Sequence, residues 1–178
     1  MENSQIYIDY NFLPSVNHIY NLIKKEIPLY SFSKHPDLKE SIENNESWPG
    51  KRSAKLNEVQ HFLEFFILET AIHKFKINRN RYSHASSYVH VRLDEDNKKD
   101  FIHQDTGVDT LLVYLSPTNI NSGTVFYADD KKTPITDVSF IQNTAVMFDG
   151  SIYHCSKNNF GQDVNDGRMT LNLFLRKK

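Results

Sequence analysis

His103 and Asp105 lie two residues apart in the stretch DFIHQDTGVDTLLVYL, residues 100–115. Residues i and i+2 of an extended segment point to the same side, so an imidazole and a carboxylate would converge there. Both groups bind divalent metal ions. Taken alone, however, such a pair indicates an exposed turn at least as well as half of a metal site, because polar residues of these types are mostly exposed.

The second half of the chain supplies residues that would complete the site. His154 follows the apolar run in AVMFDGSIYHCS, and Arg168 begins the last apolar run, GRMTLNLFL. Two histidines and one carboxylate form the facial triad that binds non-haem Fe(II) and leaves other coordination positions open. Arginine can bind a carboxylate through two parallel hydrogen bonds, so Arg168 is a candidate for holding a dicarboxylate beside the metal.

The order of these motifs resembles that of one protein family. The segments HQD, VYLSP, SGTVFY, YHCS and GRMTLNLF follow one another between about residues 82 and 175. In this order they are similar to the Fe(II)/2-oxoglutarate-dependent oxygenases, and within them to the prolyl 4-hydroxylase branch. A looser match is WPGKRS at residues 48–53.

The resemblance implies a role for each matching residue. His103, Asp105 and His154 would bind iron, and Arg168 would pair with the far carboxylate of 2-oxoglutarate. Five more residues would bind or enclose that co-substrate: Tyr114 and Thr170 through their hydroxyls, Leu112 and Val125 as walls, and Tyr88 from the preceding strand. The resemblance implies Fe(II), 2-oxoglutarate and O2 as cofactor and co-substrates, and admits ascorbate as a further cofactor.

The activity implied by the resemblance is hydroxylation of a C–H bond, with release of succinate and carbon dioxide. A prolyl or other amino-acid residue, in a peptide or free, is the leading substrate. Two alternatives stay open: an oxygenase acting on a nucleobase or small metabolite, and a cupin-like module that binds metal without catalysis. The formal net charge of −1 speaks against nucleic acid as a partner, because it gives no general attraction to polyanions.

Two loops depart from the family pattern, and a third is long and polar. Asp94–Asp100 lengthens the approach to His103, and Lys157–Gly167 lengthens the gap before Arg168. Ser31–Ser53 is polar and contains two prolines and a glycine. A loop as long as Ser31–Ser53 tends to be functional. The other two segments would lie where a substrate enters, and we expect all three to select the substrate. The sequence therefore leaves the substrate and the oligomeric state open.

Hydrophobic periodicity predicts helices first and a β-rich core afterwards. A strand is predicted at Gln5–Tyr10, and helices at Ser15–Ile27 and about Ala54–Lys74. The second helix would present an apolar face of Leu56, Val59, Phe62, Leu63, Phe66, Leu68 and Ile72. After residue 81, short β-prone runs separated by Gly, Pro, Asn and Asp are typical of an antiparallel sandwich or barrel. One of these runs, YVHVR, places Tyr88, His90 and Arg92 on one face. This face would either line a cavity or be the solvated outer face of the sheet, and we expect the cavity.

The predicted fold class is α+β, in one domain of residues 1–178. Residues 82–178 would form the catalytic core, which by resemblance is a double-stranded β-helix, also called a jelly roll or cupin-like fold. Residues 1–81 would supply a strand, a long loop and helices that pack on one sheet. With Cys155 as the single cysteine and no long apolar stretch, the sequence favours a cytoplasmic protein without a signal peptide or membrane association.

Overall fold

The computed structural model describes residues 5–36, 48–96 and 101–178. Its helices are α1 (Val16–Glu26), α2 (Leu56–Val59) and α3 (His61–Phe75), with 3-10 turns at Phe32–Lys34, Arg79–Arg81 and Asp94–Asp96. The strands are β1 (Ile6–Asp9), β2 (Tyr30–Ser31), β3 (Lys51–Arg52), β4 (Tyr82–Arg92), β5 (Val108–Tyr114), β6 (Asn119–Tyr127), β7 (Pro134–Phe140), β8 (Ala145–Asp149), β9 (Tyr153–Lys157) and β10 (Arg168–Lys177).

These strands form two antiparallel sheets. The larger has the order β1-β8-β5-β10-β4-β3-β2, and the smaller has the order β7-β6-β9. The main chain of His103 exchanges hydrogen bonds of 3.0 and 2.9 Å with that of His154, which extends the smaller sheet beyond β9. The predicted antiparallel β core is therefore confirmed.

Side-chain alternation gives the larger sheet two different faces. On one face, Val89, Val91, Leu171 and Leu173 share a buried cluster with Ile23 of α1, and Leu63, Ile67 and Ala71 of α3 belong to the same cluster. The other face meets the smaller sheet in a second cluster. That cluster contains Leu112, Tyr114, Val146 and Phe148 from one sheet and Phe126, Val138 and Phe140 from the other. Residues of β4 and β10 next to this second cluster face a cavity between the sheets.

The helix predicted at about Ala54–Lys74 differs from its prediction in two respects. It is divided at Gln60, which has φ −154° and ψ 67°, outside the helical region. The buried side of α3 is Leu63, Ile67 and Ala71 with Glu64, whose carboxylate accepts a 2.8 Å hydrogen bond from the Ser87 hydroxyl of β4. The predicted apolar face is therefore wrong in part: Val59 is 41%, Phe62 80% and Phe66 38% exposed.

The polar loop Ser31–Ser53 is not irregular at its ends. β2 pairs with β3, and β3 pairs with β4, so that Arg52 lies opposite His90. Both ends of the loop thus extend the larger sheet beside the cavity. Residues 37–47 of this loop lie outside the described residues, as do residues 97–100 of the Asp94–Asp100 segment.

The β-prone run SFIQNTAVMFDG, residues 139–150, contains parts of two strands that belong to different sheets. β7 ends at Phe140, and β8 begins at Ala145. Asn143, between them, has a positive φ of 70°, and its main-chain and side-chain oxygens accept hydrogen bonds from the amides of Phe12 and Leu13. This turn carries the chain from one sheet to the other. Among the described residues, no helix is long and apolar enough to cross a membrane.

Candidate functional site

His103, Asp105 and His154 converge at the edge of the cavity between the sheets. The Nε2 atom of His103 lies 3.9 Å from Asp105 Oδ1, and the Nε2 atom of His154 lies 3.6 Å from Asp105 Oδ2. All three potential ligand atoms lie within 4.8 Å of one another. His154 is buried, while the other two are half-buried, so one side of the group stays open.

Each imidazole is oriented by a hydrogen bond from its other nitrogen. Nδ1 of His103 lies 3.0 Å from the Phe101 carbonyl oxygen, and Nδ1 of His154 lies 2.9 Å from that of Ile152. A carbonyl accepts, so each Nδ1 carries a proton, and in the neutral imidazole Nε2 then presents its lone pair. This is the arrangement that a histidine needs to bind a metal ion.

Asp105 is held by the turn that precedes β5. Its amide donates to the Gly150 carbonyl at 2.7 Å, and its Oδ2 accepts a 2.8 Å hydrogen bond from the Thr110 hydroxyl. Gly150 permits this close approach: a Cβ atom there would lie 2.1 Å from the carbonyl oxygen of Asp105 and 2.8 Å from that of Val108.

We expect Gly150→Ala to destabilise the protein by about 1–3 kcal/mol, because the added methyl must push the Asp105 backbone away. Since that backbone positions the carboxylate, affinity for Mn(II) should fall as well. Urea unfolding and Mn(II) titration measure the two effects. Lys132→Ala, on an exposed turn, is the control; a Gly150→Ala protein with unchanged metal affinity would contradict this role.

The three candidate metal ligands line a cavity of about 140 Å³, here called the inner cavity. Arg92, Arg168 and Thr170 lie in its wall together with Leu112, and β4 and β10 place Arg92 directly opposite Arg168. The remaining lining residues are Trp48, Pro49, Arg52, His90, Phe101, Thr124, Ser156, Asn172 and Phe174. Three guanidinium groups therefore surround one small space, and among the described lining residues the only carboxylate is that of Asp105.

Arg168 is 5% exposed, and its position is fixed from two directions. Its Nη2 donates a 2.9 Å hydrogen bond to the Gly123 carbonyl, and its guanidinium carbon lies 5.3 Å from the centre of the Phe140 ring. Arg92 is fixed in a similar way, because its Nη1 donates to the Ser156 hydroxyl at 2.8 Å. Two buried cations held in place favour binding of an anion in this cavity.

The structure corrects the predictions for Tyr114 and Val125. Tyr114 is fully buried behind the cavity wall, stacked on Phe140, and its phenol donates a 2.7 Å hydrogen bond to the Thr124 hydroxyl. Val125 lies between Thr124 and Phe126, which face inward, so it points to the other side of the smaller sheet. Neither residue lines the inner cavity, and Thr124, one position before Val125, takes the place expected of it.

The other predicted residues have the following positions. Leu112 and Thr170 line the inner cavity, and the Thr170 hydroxyl donates to Asn172 Oδ1 at 2.8 Å. Tyr88 lies farther out, in a second cavity. Sequence reasoning missed Thr124, Ser156, Asn172 and Arg52 at the site; alternation from Thr170 and from His154 pointed to Asn172 and Ser156.

His90 is buried in the wall between Arg92 and Arg52. Its Nε2 lies 2.9 Å from the Pro49 carbonyl, which ties the Trp48–Arg52 segment to β4. Burial, together with the charges of Arg92 and Arg52, holds the pKa of His90 well below its usual range. The imidazole is therefore neutral at pH 7 and does not add to the positive charge of the cavity.

Folding should become less favourable as the pH falls below about 6.5, the ordinary pKa of histidine, because the unfolded chain then binds a proton that folded His90 does not. This group alone would lower the free energy of unfolding by up to about 1.4 kcal/mol per pH unit. Urea unfolding at pH 7.5, 6.5 and 5.5 tests this, with His90→Gln expected to show a shallower loss. Equal slopes for the two proteins would contradict it.

No protein-family model matches the sequence, and no curated protein matches it either. The fold, in contrast, has solved counterparts. A prolyl-4-hydroxylase from Pseudomonas putida matches with a TM-score of 0.53 and 10% identity, over 99% of this chain and 94% of that one. HygX from Streptomyces hygroscopicus, solved with nickel and 2-oxoglutarate bound, matches with a TM-score of 0.66 and 9% identity, over 99% and 84%. The non-haem α-ketoglutarate-dependent epimerase SnoN, from nogalamycin biosynthesis, matches with a TM-score of 0.61 and 9% identity, over 97% of this chain and 78% of that one.

At these identities the comparisons establish the fold. The predicted resemblance to Fe(II)/2-oxoglutarate oxygenases, including a prolyl 4-hydroxylase, is confirmed at that level, and so is the jelly-roll architecture. What the site does depends on its own residues.

Proposed function

We propose that this protein is an Fe(II)- and 2-oxoglutarate-dependent oxygenase that hydroxylates a C–H bond. One observation carries the proposal: two histidines and a carboxylate, arranged for one metal ion, share a small cavity with a buried arginine. A metal-binding module without catalysis needs no such cationic cavity. HygX, which shares the fold, was solved with nickel and 2-oxoglutarate bound.

The residues present fit Fe(II). His103 and His154 would each give Nε2, and Asp105 one carboxylate oxygen, a ligand set that suits non-haem iron. When bound, iron would couple reduction of O2 and oxidation of 2-oxoglutarate to succinate and carbon dioxide with hydroxylation of the substrate. The chain's own part is to fix the ligands through the Nδ1 hydrogen bonds and to leave one side of the metal open.

The inner cavity would hold 2-oxoglutarate. Its far carboxylate would pair with Arg168, with the Thr124 hydroxyl as a further donor. The Thr170 hydroxyl would become another donor on rotating away from Asn172. Arg92 lies directly across from Arg168 and would complete the positive end of the cavity. Tyr114 would act at one remove, by orienting the Thr124 hydroxyl.

For the primary substrate we propose a prolyl or other amino-acid residue, in a peptide or free, as the family resemblance implies. The prolyl-4-hydroxylase that shares the fold is consistent with this. The structure of HygX with hygromycin B shows that this fold also accommodates a small molecule. A small metabolite is therefore the second candidate.

Release of labelled carbon dioxide from 1-¹⁴C-2-oxoglutarate tests the activity. We expect release that requires Fe(II) and O2, is accompanied by equimolar succinate, and is inhibited by N-oxalylglycine, a mimic of the co-substrate. The second measurement is calorimetry with Mn(II), then with 2-oxoglutarate. Metal binding without any 2-oxoglutarate binding would overturn the proposal in favour of a non-catalytic module.

A further inference from the structure

A second cavity of about 660 Å³ opens onto the same metal ligands; it is called here the outer cavity. His103 and Asp105 line both cavities, as do Trp48, Arg52, Phe101 and Phe174. Its volume lies in the range of small-molecule sites. A molecule bound in the outer cavity would therefore lie next to the open side of the metal ligands, beyond the space assigned to 2-oxoglutarate.

The outer cavity carries positive charge. Arg52 and Arg176 line it, whereas among the described lining residues Asp105 is the single carboxylate, and that carboxylate is assigned to the metal. A bound divalent cation adds two positive charges, which the two carboxylates of 2-oxoglutarate offset, so the positive charge that faces a ligand here is that of the two arginines. This distribution favours a negatively charged ligand over a neutral or cationic one.

Arg52 is held so that its guanidinium forms part of the wall. Its central carbon lies 4.2 Å from the centre of the Tyr88 ring and 4.8 Å from the centre of the Trp48 ring. Trp48 is packed edge-on by Phe32 and His35, at 4.9 and 5.0 Å between ring centres. An arginine stacked in this way keeps its planar fork oriented, which suits it to binding a carboxylate or phosphate.

The segment that carries Arg52 is anchored by its backbone. Gly50 has φ +80°, and a Cβ atom there would lie 2.3 Å from the Val91 carbonyl, so only glycine allows this approach to β4. The Gly50 amide also donates to Asp96 Oδ1 at 3.1 Å. The backbone of the segment that carries Arg52 is thus held against β4.

Four aromatic side chains also line the outer cavity. Trp48, Tyr88, Phe101 and Phe174 all line the outer cavity, and the rings of Tyr88 and Phe174 meet at 6.3 Å. Flat apolar surfaces of this kind favour a ring on the ligand.

We propose, on the basis of the function proposed above, that the primary substrate is a small molecule in which an anionic group is attached to a ring, and that Arg52 binds the anionic group. The anionic group is a carboxylate or a phosphate. Among amino-acid substrates, the proposal favours a free amino acid or a C-terminal residue, which has a free carboxylate, over a residue inside a peptide.

Two pairs of probes that differ in charge distinguish the sources of the anion. N-acetyl-L-proline and its amide test a carboxylate, and adenosine 5′-monophosphate and adenosine test a phosphate. Each is titrated by calorimetry into the full chain loaded with Mn(II) and 2-oxoglutarate. We expect the charged member of one pair to bind at least about tenfold more tightly than its neutral partner, and Arg52→Gln to remove that difference. Arg52→Lys should restore part of it.

Arg81→Gln, outside both cavities, is the matched control and should bind like the wild type. Arg168→Ala should lose more affinity for 2-oxoglutarate than for the probe, and Arg52→Gln the reverse. Equal binding within both pairs, or no binding of either charged probe, would overturn the inference. Failure of wild-type protein to bind 2-oxoglutarate would instead overturn the proposed function, so the two failures are distinguishable.

Discussion

Asp105→Ala should lose Fe(II)-dependent turnover of 2-oxoglutarate by at least about 100-fold. The variant removes the only carboxylate among the described residues that line the inner cavity, and it leaves two imidazoles to hold the metal. Replacing a residue that only supports a metal ligand typically lowers metal affinity or activity about 10- to 100-fold. Loss of a ligand itself should lower both further. Turnover is measured as succinate formed, and metal affinity by titration with Mn(II).

Two controls separate loss of the metal from loss of the fold. Asp129→Ala removes an exposed carboxylate on the turn after β6 and should behave as the wild type. Asp105→Asn keeps an oxygen that can accept from the Thr110 hydroxyl, so it should retain stability while it loses metal affinity. Wild-type turnover in Asp105→Ala would contradict the metal site.

The second large effect is expected at Arg168. Truncating one partner of a buried, hydrogen-bonded charge pair costs about 2–5 kcal/mol, so Arg168→Ala should weaken 2-oxoglutarate binding roughly 30-fold or more. Arg168→Lys keeps the charge but not the planar fork, and should lie in between. Calorimetry on protein loaded with Mn(II) gives both affinities.

Metal affinity is the internal control for Arg168. Arg168 is absent from the triad, so both variants should bind Mn(II) as the wild type does. Since its guanidinium also bonds to the Gly123 carbonyl, urea unfolding should accompany the measurement. Unchanged 2-oxoglutarate affinity in Arg168→Ala would show that the dicarboxylate binds elsewhere.

Sequence order predicted that His103, Asp105, His154 and Arg168 would lie together, because these residues follow motifs with fixed positions on strands. The i, i+2 spacing placed His103 and Asp105 on one side, and the structure brings their ligand atoms together with that of His154. Alternation was equally informative for Tyr88, His90 and Arg92, which do face the cavities.

Prediction failed where it had to decide which of two neighbouring strand residues faces inward, or where a partner distant in sequence set the position of a side chain. Val125 and Thr124 are neighbours, and only the pairing of β6 with β9 determines which of them faces inward. Tyr114 has the expected direction, but Thr124 stands in front of it. On α3, the buried bond between Glu64 and Ser87 helps to set the inward face, and hydrophobicity alone points to Phe62 and Phe66 instead.

Arg52 could not be assigned from the sequence, because its position depends on a pairing across 38 residues of sequence, between β3 and β4. Within a stretch taken as a polar loop, nothing marks Arg52 as different from Lys51. The strand pairing places its charge beside His90, and two aromatic rings hold it there.

A crystal structure with Mn(II) and N-oxalylglycine bound would test the central claim most directly. We predict one metal ion bound by Nε2 of His103, Nε2 of His154 and a carboxylate oxygen of Asp105. The oxalyl end of the ligand would lie on the metal and its far carboxylate on Arg168. An ion held by other residues, or a ligand outside the inner cavity, would contradict the account.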